Sequence, residues 1–325
     1  MQTAYRGATV ATILLAAALA SPATGQSVRI ERLVDAPIIR PEMDGAMGSN
    51  IAGPSLIRVP EWIESPLGRY YLYFADHRGT YIRLAYADAL RGPWTMYEPG
   101  TLRLDQSHFP TTCPPCAPAR AYAHIASPDV HVDDARRQIV MYVHGRDVGR
   151  QVTRVAVSAD GLRFDGRPEI LGRPYFRAFR HEGFVYALAM PGVLYRSRDG
   201  LSGFEEGPQL FNPNMRHSAL LKRGDRLSVF WTQRTAAPER VILSTIDLQG
   251  DWTGWTESAP VEVLRPERPW EGADLPVEPS RGGSIDVPVN QLRDPTIFEE
   301  DGRVYLLYAV AGERGIGLAE VHLED

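Results

Sequence analysis

Apolar and polar residues alternate along most of the chain after residue 40, and the alternation recurs in five similar segments. Each segment has a short motif with an apolar strand, then a turn, then a second apolar strand, as in residues 294–309 (DPTIFEEDGRVYLLYA). The five strand pairs are 53–59 with 69–75, 127–133 with 138–145, 175–181 with 184–190, 217–223 with 226–232, and 294–300 with 303–309. A further alternating stretch follows each pair. This pattern predicts half-buried antiparallel strands, and no segment keeps a helical period.

Five copies of about 40–75 residues, each with three or four strands, are typical of propeller blades. Two stacked sandwich sheets are the main alternative, but they do not explain why a motif begins each copy. The fifth copy lacks a fourth strand, whereas Val28 to Ile39 is strand-like and belongs to no copy. We therefore predict an all-β, five-bladed β-propeller in one domain, residues 26–325, with the N-terminal strand closing the ring in the last blade.

The N-terminal segment predicts export. Arg6 precedes an apolar run at 8–20 (ATVATILLAAALA), and small residues follow it, so residues 1–25 are expected to be a signal peptide and the mature chain periplasmic or secreted. No other run approaches the length of a membrane span, so no membrane association is expected after cleavage. In an oxidising compartment Cys113 and Cys116 could form a disulfide.

The charge balance limits the classes of binding partner that can be expected. The chain has 40 acidic and 35 basic residues, a formal charge of −5, and no basic block, so a nucleic-acid partner is not expected. No Cys-His set has the spacing of a zinc site. We predict no cofactor; a structural divalent cation in the central channel stays open, although no ligand spacing demands it. The protein is expected to be a monomer.

Three stretches resemble a known group of enzymes: RDPTIF followed by DGRVYLLYA (293–309), SPDVHV (127–132) and YIRLAYADALRGPW (81–94). They are similar to the five-bladed propeller glycoside hydrolases, which include the family-43 arabinanases and xylosidases, the invertases and levansucrases, and the neoagaro-oligosaccharide hydrolases. The resemblance implies that residues at the start of each copy, and at the far ends of the second strands, point toward a central pocket. The candidates are Asp44, Asn50, Asp76, His77, His124, Asp129, His144, Tyr175, Arg177, Arg216, His217, Trp231, Gln233, Arg234, Arg293, Asp294 and Glu313.

Glycoside hydrolysis needs two carboxyl groups, about 5–10 Å apart, across the scissile bond. The resemblance implies an Asp at the start of blade one, a second in blade two and a Glu in a middle blade. Asp129 fits the second, but Gly53-Pro54 stands in place of the first, and the Asp-Pro pair lies in blade five at Asp294. We therefore expect Asp129 and Asp294 to be the catalytic carboxylates and His217 to be the proton donor.

The remaining candidates suit substrate binding. Arg216, Arg293 and Arg234 would bind hydroxyls or a carboxylate, and Trp231 or Tyr175 would stack on a sugar. Structural roles stay open: Asp129 as a strand-entry residue, Asp294 in an ion pair, His217 in the core and Trp231 in blade packing. The predicted function is an exported glycoside hydrolase acting on polysaccharide or oligosaccharide fragments; the alternative is a non-catalytic carbohydrate-binding propeller.

Overall fold

In the computed structural model, residues 28–113, 122–147 and 149–323 are described, and they form twenty β-strands and four short 3₁₀ helices. The strands make five four-stranded antiparallel sheets, which are the predicted five blades. Blade I contains β2 (Ala52–Arg58), β3 (Tyr70–Ala75), β4 (Tyr81–Ala87) and β5 (Thr95–Arg103). Blade II contains β6 (Ile125–Asp133), β7 (Gln138–Asp147), β8 (Arg150–Ser158) and β9 (Asp165–Gly166). Blade III contains β10 (Arg177–His181), β11 (Phe184–Ala189), β12 (Val193–Ser197) and β13 (Glu205–Gln209).

Blade IV contains β14 (Met215–Arg223), β15 (Arg226–Gln233), β16 (Val241–Asp247) and β17 (Val261–Leu264). Blade V contains β18 (Arg293–Glu300), β19 (Arg303–Ala309), β20 (Ile316–Leu323) and the N-terminal strand β1 (Val28–Arg32). The 3₁₀ helices are Pro41–Met43, Leu104–Gln106, Trp252–Gly254 and Pro269–Glu271. The first strands β2, β6, β10, β14 and β18 surround the central channel, and we call the end where they begin the blade-head end.

The N-terminal strand is the outer strand of blade V. β1 pairs antiparallel with β20, from Val28 opposite Leu323 to Arg32 opposite Ala319. One blade is therefore built from both ends of the described chain. The pairing covers the edge of β20, which would otherwise expose unpaired backbone groups.

Hydrophobic packing joins each blade to its neighbours. In the described part of the chain the buried apolar residues fall into five clusters, one between each adjacent pair of blades. The cluster between blades V and I contains Leu307 and Leu318 from one side and Leu72 and Phe74 from the other. Because this cluster joins the last blade to the first, the ring is continuous.

Tight turns and bulges shape the inner strands. The hairpin residues Glu182-Gly183 and Asp301-Gly302 all have positive φ, as short hairpin turns require. The inner strands β2, β6, β14 and β18 shift register near their first residues. Such bulges turn side chains away from the regular alternation, and here they decide which residues meet in the channel.

The described residues contain no helix long and apolar enough to cross a membrane. The predicted signal peptide and Cys116 lie outside the described residues, whereas Cys113 lies within them. The export and disulfide predictions therefore stay predictions.

Candidate active site at the blade-head end

Nine side chains meet where the inner strands begin. We call them the blade-head cluster: Asn50, His77, Tyr175, Arg216, His217, Glu239, Arg293, Asp294 and Glu313. All are buried except His77, which is half-buried. Eight of them were predicted from the sequence as site residues, so residues far apart in the chain do converge on one end of the channel.

Asp294 has an unusual environment for a carboxyl group. It is 2% exposed, and its backbone has φ +46° at the bulge of β18. The Tyr175 hydroxyl donates to Oδ1 at 2.6 Å, while Oδ2 has no hydrogen-bond partner among the described residues. Burial raises the pKa of Asp294, and the charge of Glu313 raises that pKa further. The carboxyl group is thereby favoured in its protonated form.

His217 does not fit its predicted role as proton donor. Its Nδ1 accepts the Asp294 backbone N–H at 3.2 Å, so the ring proton belongs on Nε2, which is 3.5 Å from Asp294 Oδ1. Burial and the neighbouring Arg216 and Arg293 lower the pKa of His217 well below its usual value. The ring is therefore neutral near neutral pH. His217 positions Asp294, and within this pair burial lowers the pKa of the imidazole and raises the pKa of the carboxyl group.

Two buried glutamates balance the arginines of the cluster. Glu239 lies 3.0 Å from Arg216 and 3.4 Å from Arg293. Glu313 lies 2.8 Å from Arg293 and accepts the Asn50 amide at 2.8 Å, and it lies 3.2 Å from His77 Nδ1. Burial alone would raise the pKa of Glu313, but His77 and Arg293 hold it well below its usual value. The surroundings therefore favour the ionised form of Glu313 and the protonated form of Asp294.

Sequence reasoning missed Glu239, the ninth member. It precedes β16, the third strand of its blade, whereas the candidates were sought at the starts of first strands and the ends of second strands. Its position directly before a predicted strand, after Pro238, carries no special signal. The two arginines at 216 and 293 are the only indication that a buried anion should lie between them.

A loop covers the cluster. We call residues 281–286 the strap. Arg216 donates to the carbonyl oxygens of Arg281 and Gly283, and Arg293 also contacts that of Gly283 at 3.3 Å. Asn50 donates to the Ile285 carbonyl at 3.2 Å. The strap therefore covers the buried arginines and Asn50 of the blade-head cluster in this conformation.

Asp129 does not join Asp294. Its Oδ2 accepts the Ala178 backbone N–H at 2.8 Å and lies 2.7 Å from His131 Nε2, and its Oδ1 lies 4.0 Å from Arg177. Burial alone would raise the pKa of Asp129, but His131 and Arg177 hold it below its usual value. The ionised carboxylate lines a cavity toward the other end of the channel, so it is not the carboxylate that faces Asp294.

The bulges explain this separation. Gly53, Ser127 and Asp294 each have positive φ and each precede a proline at the start of an inner strand. Ser127, and not Asp129, is thus the blade II equivalent of Asp294. In blade I a Cβ at position 53 would lie 2.8 Å from the Ser127 Cα, so no side chain fits where the resemblance implies an aspartate.

Arg177 and a row of rings lie beside the cluster. The Arg177 guanidinium sits 4.2 Å from the centre of the Tyr175 ring and donates to the carbonyls of Ser218 and Pro128. His144 and His124 continue the row. Burial lowers the pKa of His124 to about 4 and that of His144 well below its usual value. His124 Nε2, His144 Nδ1 and Arg177 Nη2 have no hydrogen-bond partner in the described part of the chain.

Other predicted site residues lie apart from the cluster. Trp231 packs in the core between blades III and IV and donates to Ser244, so it cannot stack on a sugar. Gln233 accepts from Asn212, and Arg234 donates to the Pro213 carbonyl near the surface. Asp44 and Asp76 accept backbone N–H groups two residues ahead in their own turns.

No group of three or more His, Cys, Asp or Glu side chains is arranged to hold a metal ion in the described ranges. Instead, His217 packs against Tyr175 and His77 contacts Glu313. The cation left open by the sequence has no such ligand group there.

The proteins that resemble this chain in sequence differ from those that resemble it in fold. No protein-family model matches the chain. The uncharacterised protein R118 of Acanthamoeba polyphaga mimivirus is 38% identical over 299 residues, which cover 84% of this chain and 83% of R118. Likeness of this extent over most of both chains indicates common ancestry.

Solved structures share the fold at low identity. A family-43 enzyme from Xanthomonas citri has a TM-score of 0.55 at 10% identity and covers 89% of each chain. A β-xylosidase/α-arabinofuranosidase from a compost metagenome has a TM-score of 0.55 at 12% identity, and the match covers 91% of this chain and 95% of that enzyme. An α-L-arabinanase of Cellvibrio cellulosa has a TM-score of 0.51 at 13% identity, and the match covers 83% of this chain and 91% of the arabinanase. The predicted resemblance in fold to family-43 five-bladed propeller glycoside hydrolases is confirmed.

Proposed function

The chain belongs to the protein family of the mimiviral R118 and has the fold of the family-43 glycoside hydrolases, and from this premise we propose that it is a glycosidase acting on oligosaccharide or polysaccharide fragments. The family relative is uncharacterised, so the activity is inferred from the blade-head cluster. The observation that supports it most is the buried Asp294 carboxyl group, whose pKa is raised and whose Oδ2 has no hydrogen-bond partner among the described residues.

Asp294 supplies a general acid. When the surroundings of two carboxyl groups move their pKa values in opposite directions, the group with the raised pKa can act as an acid and the other stays ionised. Asp294 has the raised pKa and Glu313 the lowered one. In the proposed step Asp294 gives its proton to the glycosidic oxygen as the bond from that oxygen to the anomeric carbon breaks. The departing sugar leaves as a neutral alcohol. Water then forms the new bond to the anomeric carbon, and the proton that it loses returns to the Asp294 carboxylate, which restores the acid.

The surrounding groups have supporting roles. Tyr175 and His217 orient the Asp294 carboxyl group, since one donates to its Oδ1 and the other accepts its backbone N–H. Glu313 contributes a fixed negative charge that keeps the acid protonated and would favour the positive charge developing on the sugar. His144 Nδ1 and His124 Nε2, which have no hydrogen-bond partner among the described residues, are available for sugar hydroxyls.

Access requires the strap to move. The side chains of Arg216, Arg293 and Asn50 donate hydrogen bonds to main-chain carbonyl oxygens of residues 281–285, and these bonds hold the strap over the cluster. A substrate would replace these contacts with its own hydroxyl groups. Closure after binding would exclude water from the acid and strengthen its electrostatic surroundings.

A carbohydrate-binding propeller without catalysis is the second candidate. One observation favours it: the positions equivalent to Asp294 in blades I and II are Gly53 and Ser127, so the bulges bring one carboxyl group to the channel where a hydrolase of this kind needs two. In that case Asp294 would bind a hydroxyl group instead of donating a proton to a leaving group.

An assay of turnover distinguishes the two candidate functions. The purified protein would be assayed on a panel of aryl glycosides and oligosaccharide fragments beside Asp294→Asn, with Asp301→Asn, an exposed turn residue of the same blade, as the matched control. We expect turnover by the parent and the control, and a loss of at least about 100-fold in Asp294→Asn with its fold intact. Saturable sugar binding without turnover would support the binding propeller instead.

The location of this activity is also a proposal. We propose that the protein is exported to the periplasm or secreted, because its first residues carry a positive charge and an apolar run of signal-peptide length. Extracellular polysaccharide fragments would then be its substrates. Recovery of the protein from the medium or periplasm, with a new N-terminus between residues 20 and 26, would support this.

A further inference from the structure

A separate cavity opens at the far end of the channel, opposite the blade heads. It has a volume of about 420 Å³, within the range of small-molecule sites. All five inner strands contribute to its wall. None of the nine blade-head residues lines it, so it is a different site from the one described above.

The inner part of the cavity holds a carboxylate, an imidazole and a guanidinium. His131 Nε2 lies 2.7 Å from Asp129 Oδ2, which fixes the ring and leaves Nδ1 unused, and the imidazole is 40% exposed. Asp129 Oδ1 lies 4.0 Å from Arg177 Nη1, and Arg177 Nη2 has no hydrogen-bond partner among the described residues although the side chain is 3% exposed. Such groups are costly to leave unpaired, which indicates a ligand or bound water.

A hydroxyl group and apolar side chains complete the wall. Ser55 Oγ accepts the Val130 N–H at 2.9 Å, so its own hydrogen is available to a ligand. Leu220 and Phe298 also line the cavity. Donors, acceptors and apolar carbon therefore line one small space.

The charges of the cavity compensate one another. Asp129 is balanced by Arg177 inside, and at the rim Arg58 pairs with Glu300 at 2.9 Å. Glu299 is likewise paired with Arg223. An ionic ligand would meet no net opposite charge here, whereas a ligand rich in hydroxyl groups could use both donors and acceptors.

We propose that the far-end cavity binds a neutral polyhydroxylated molecule of monosaccharide size. Asp129 Oδ1 accepts from one ligand hydroxyl, and Arg177 Nη2 and Ser55 Oγ donate to others. The apolar face of the ligand lies against Leu220 and Phe298. This inference does not rest on the proposed glycosidase activity, because the two sites share no member of the blade-head cluster.

The test uses four probes: D-xylose, L-arabinose, D-glucose and D-galactose, each titrated into the purified protein by calorimetry or ligand-observed NMR. Leu220→Trp fills the cavity, and His131→Gln changes a half-exposed side chain that should not affect folding. Thermal melts verify the fold of each variant. Asp294→Asn changes the blade-head cluster alone and is the matched control for the location of binding.

We expect at least one sugar to bind saturably. His131→Gln should weaken that binding about tenfold, Leu220→Trp should abolish it, and Asp294→Asn should leave it unchanged. Three results would overturn the proposal: no saturable binding by any of the four sugars, unchanged binding in both cavity variants, or loss of binding in Asp294→Asn. If Leu220→Trp does not fold, the test depends on sugar binding by His131→Gln alone.

Discussion

At Asp294 burial, a neighbouring charge and backbone strain act on one carboxyl group. Burial and the charge of Glu313 favour its neutral form, while Tyr175 and His217 fix its position. A left-handed backbone in a residue with a side chain costs energy and is concentrated at functional sites. The combination supports a role for Asp294 beyond packing.

The raised pKa of Asp294 gives a pH-dependent prediction for stability. Protonation stabilises the fold below the pKa of the unfolded chain, about 3.9, and this contribution is lost as the pH rises through the folded pKa. Asn tolerates the same backbone and does not ionise. The melting temperature of Asp294→Asn, measured from acid to neutral pH, should therefore rise relative to that of the parent.

The opposite trend would contradict this assignment. If Asp294→Asn loses stability relative to the parent as the pH increases, then the native state stabilises the carboxylate and Asp294 cannot be the protonated partner. Asp301→Asn makes the same change of side chain in an exposed turn of the same blade and serves as the control.

Glu313 gives a second prediction at the same scale. Its lowered pKa means that its stabilising contribution is present above the unfolded pKa and is lost as the pH falls through the folded pKa. Glu313→Gln would leave Arg293 and half-buried His77 without this anion. We expect a loss of about 3 kcal/mol in the free energy of unfolding at neutral pH, measured by denaturant titration. A loss below about 1 kcal/mol would show that Glu239 alone compensates Arg293.

At the scale of elements, the bulges at the starts of the inner strands determine which residues meet. Gly53→Ala adds a Cβ 2.8 Å from the Ser127 Cα at a position with φ +62°. It should lower the free energy of unfolding by about 3 kcal/mol, because an overpacking cost adds to the cost of left-handed backbone. Equilibrium denaturation measures this.

Gly224→Ala is the matched control for Gly53→Ala. Gly224 has φ +54° in a hairpin turn, and nothing lies within 4 Å of its added Cβ. Its cost should be about 1 kcal/mol, from backbone strain alone. Equal losses in the two variants would mean that the close approach of blades I and II at Gly53 does not constrain the bulge.

The elements were predictable from the sequence, but the pairing of site residues was not. Alternation and turn residues located all five blades and the N-terminal strand of blade V, because strands with one buried face must alternate. A bulge breaks that alternation by one residue without a distinctive signal, so the sequence predicts Asp129 as the partner of Asp294, although Ser127 holds the equivalent position in blade II. The protonation of His217 depends on burial beside arginines from other blades, which no local pattern reports.

At the scale of the whole molecule, closure of the ring depends on an ion pair as well as on strand pairing. Arg32 at the end of β1 donates to Glu271 at 2.8 Å, and Glu271 is fully buried and also accepts from Tyr308. Arg32→Leu would leave that carboxylate without a cation. We expect a loss of about 3 kcal/mol in the free energy of unfolding.

Arg29→Leu, on the same strand, is the control for Arg32→Leu. Arg29 is exposed and has one weak contact to Glu31 at 3.8 Å, so its loss should change stability by less than about 0.5 kcal/mol. Similar small effects in both variants would indicate that β1 is held by strand pairing and packing alone.

The central claim, that Asp294 protonates the leaving group, is tested most directly by leaving-group dependence. The measurement compares kcat/KM of the parent and Asp294→Asn on two glycosides of the same sugar, one whose leaving group needs protonation and one whose activated phenol leaves as an anion. A missing general acid should slow the first by at least about 100-fold and the second by less than about tenfold. An equal loss on both substrates, or no turnover of either by the parent, would contradict the assignment of Asp294 as the acid.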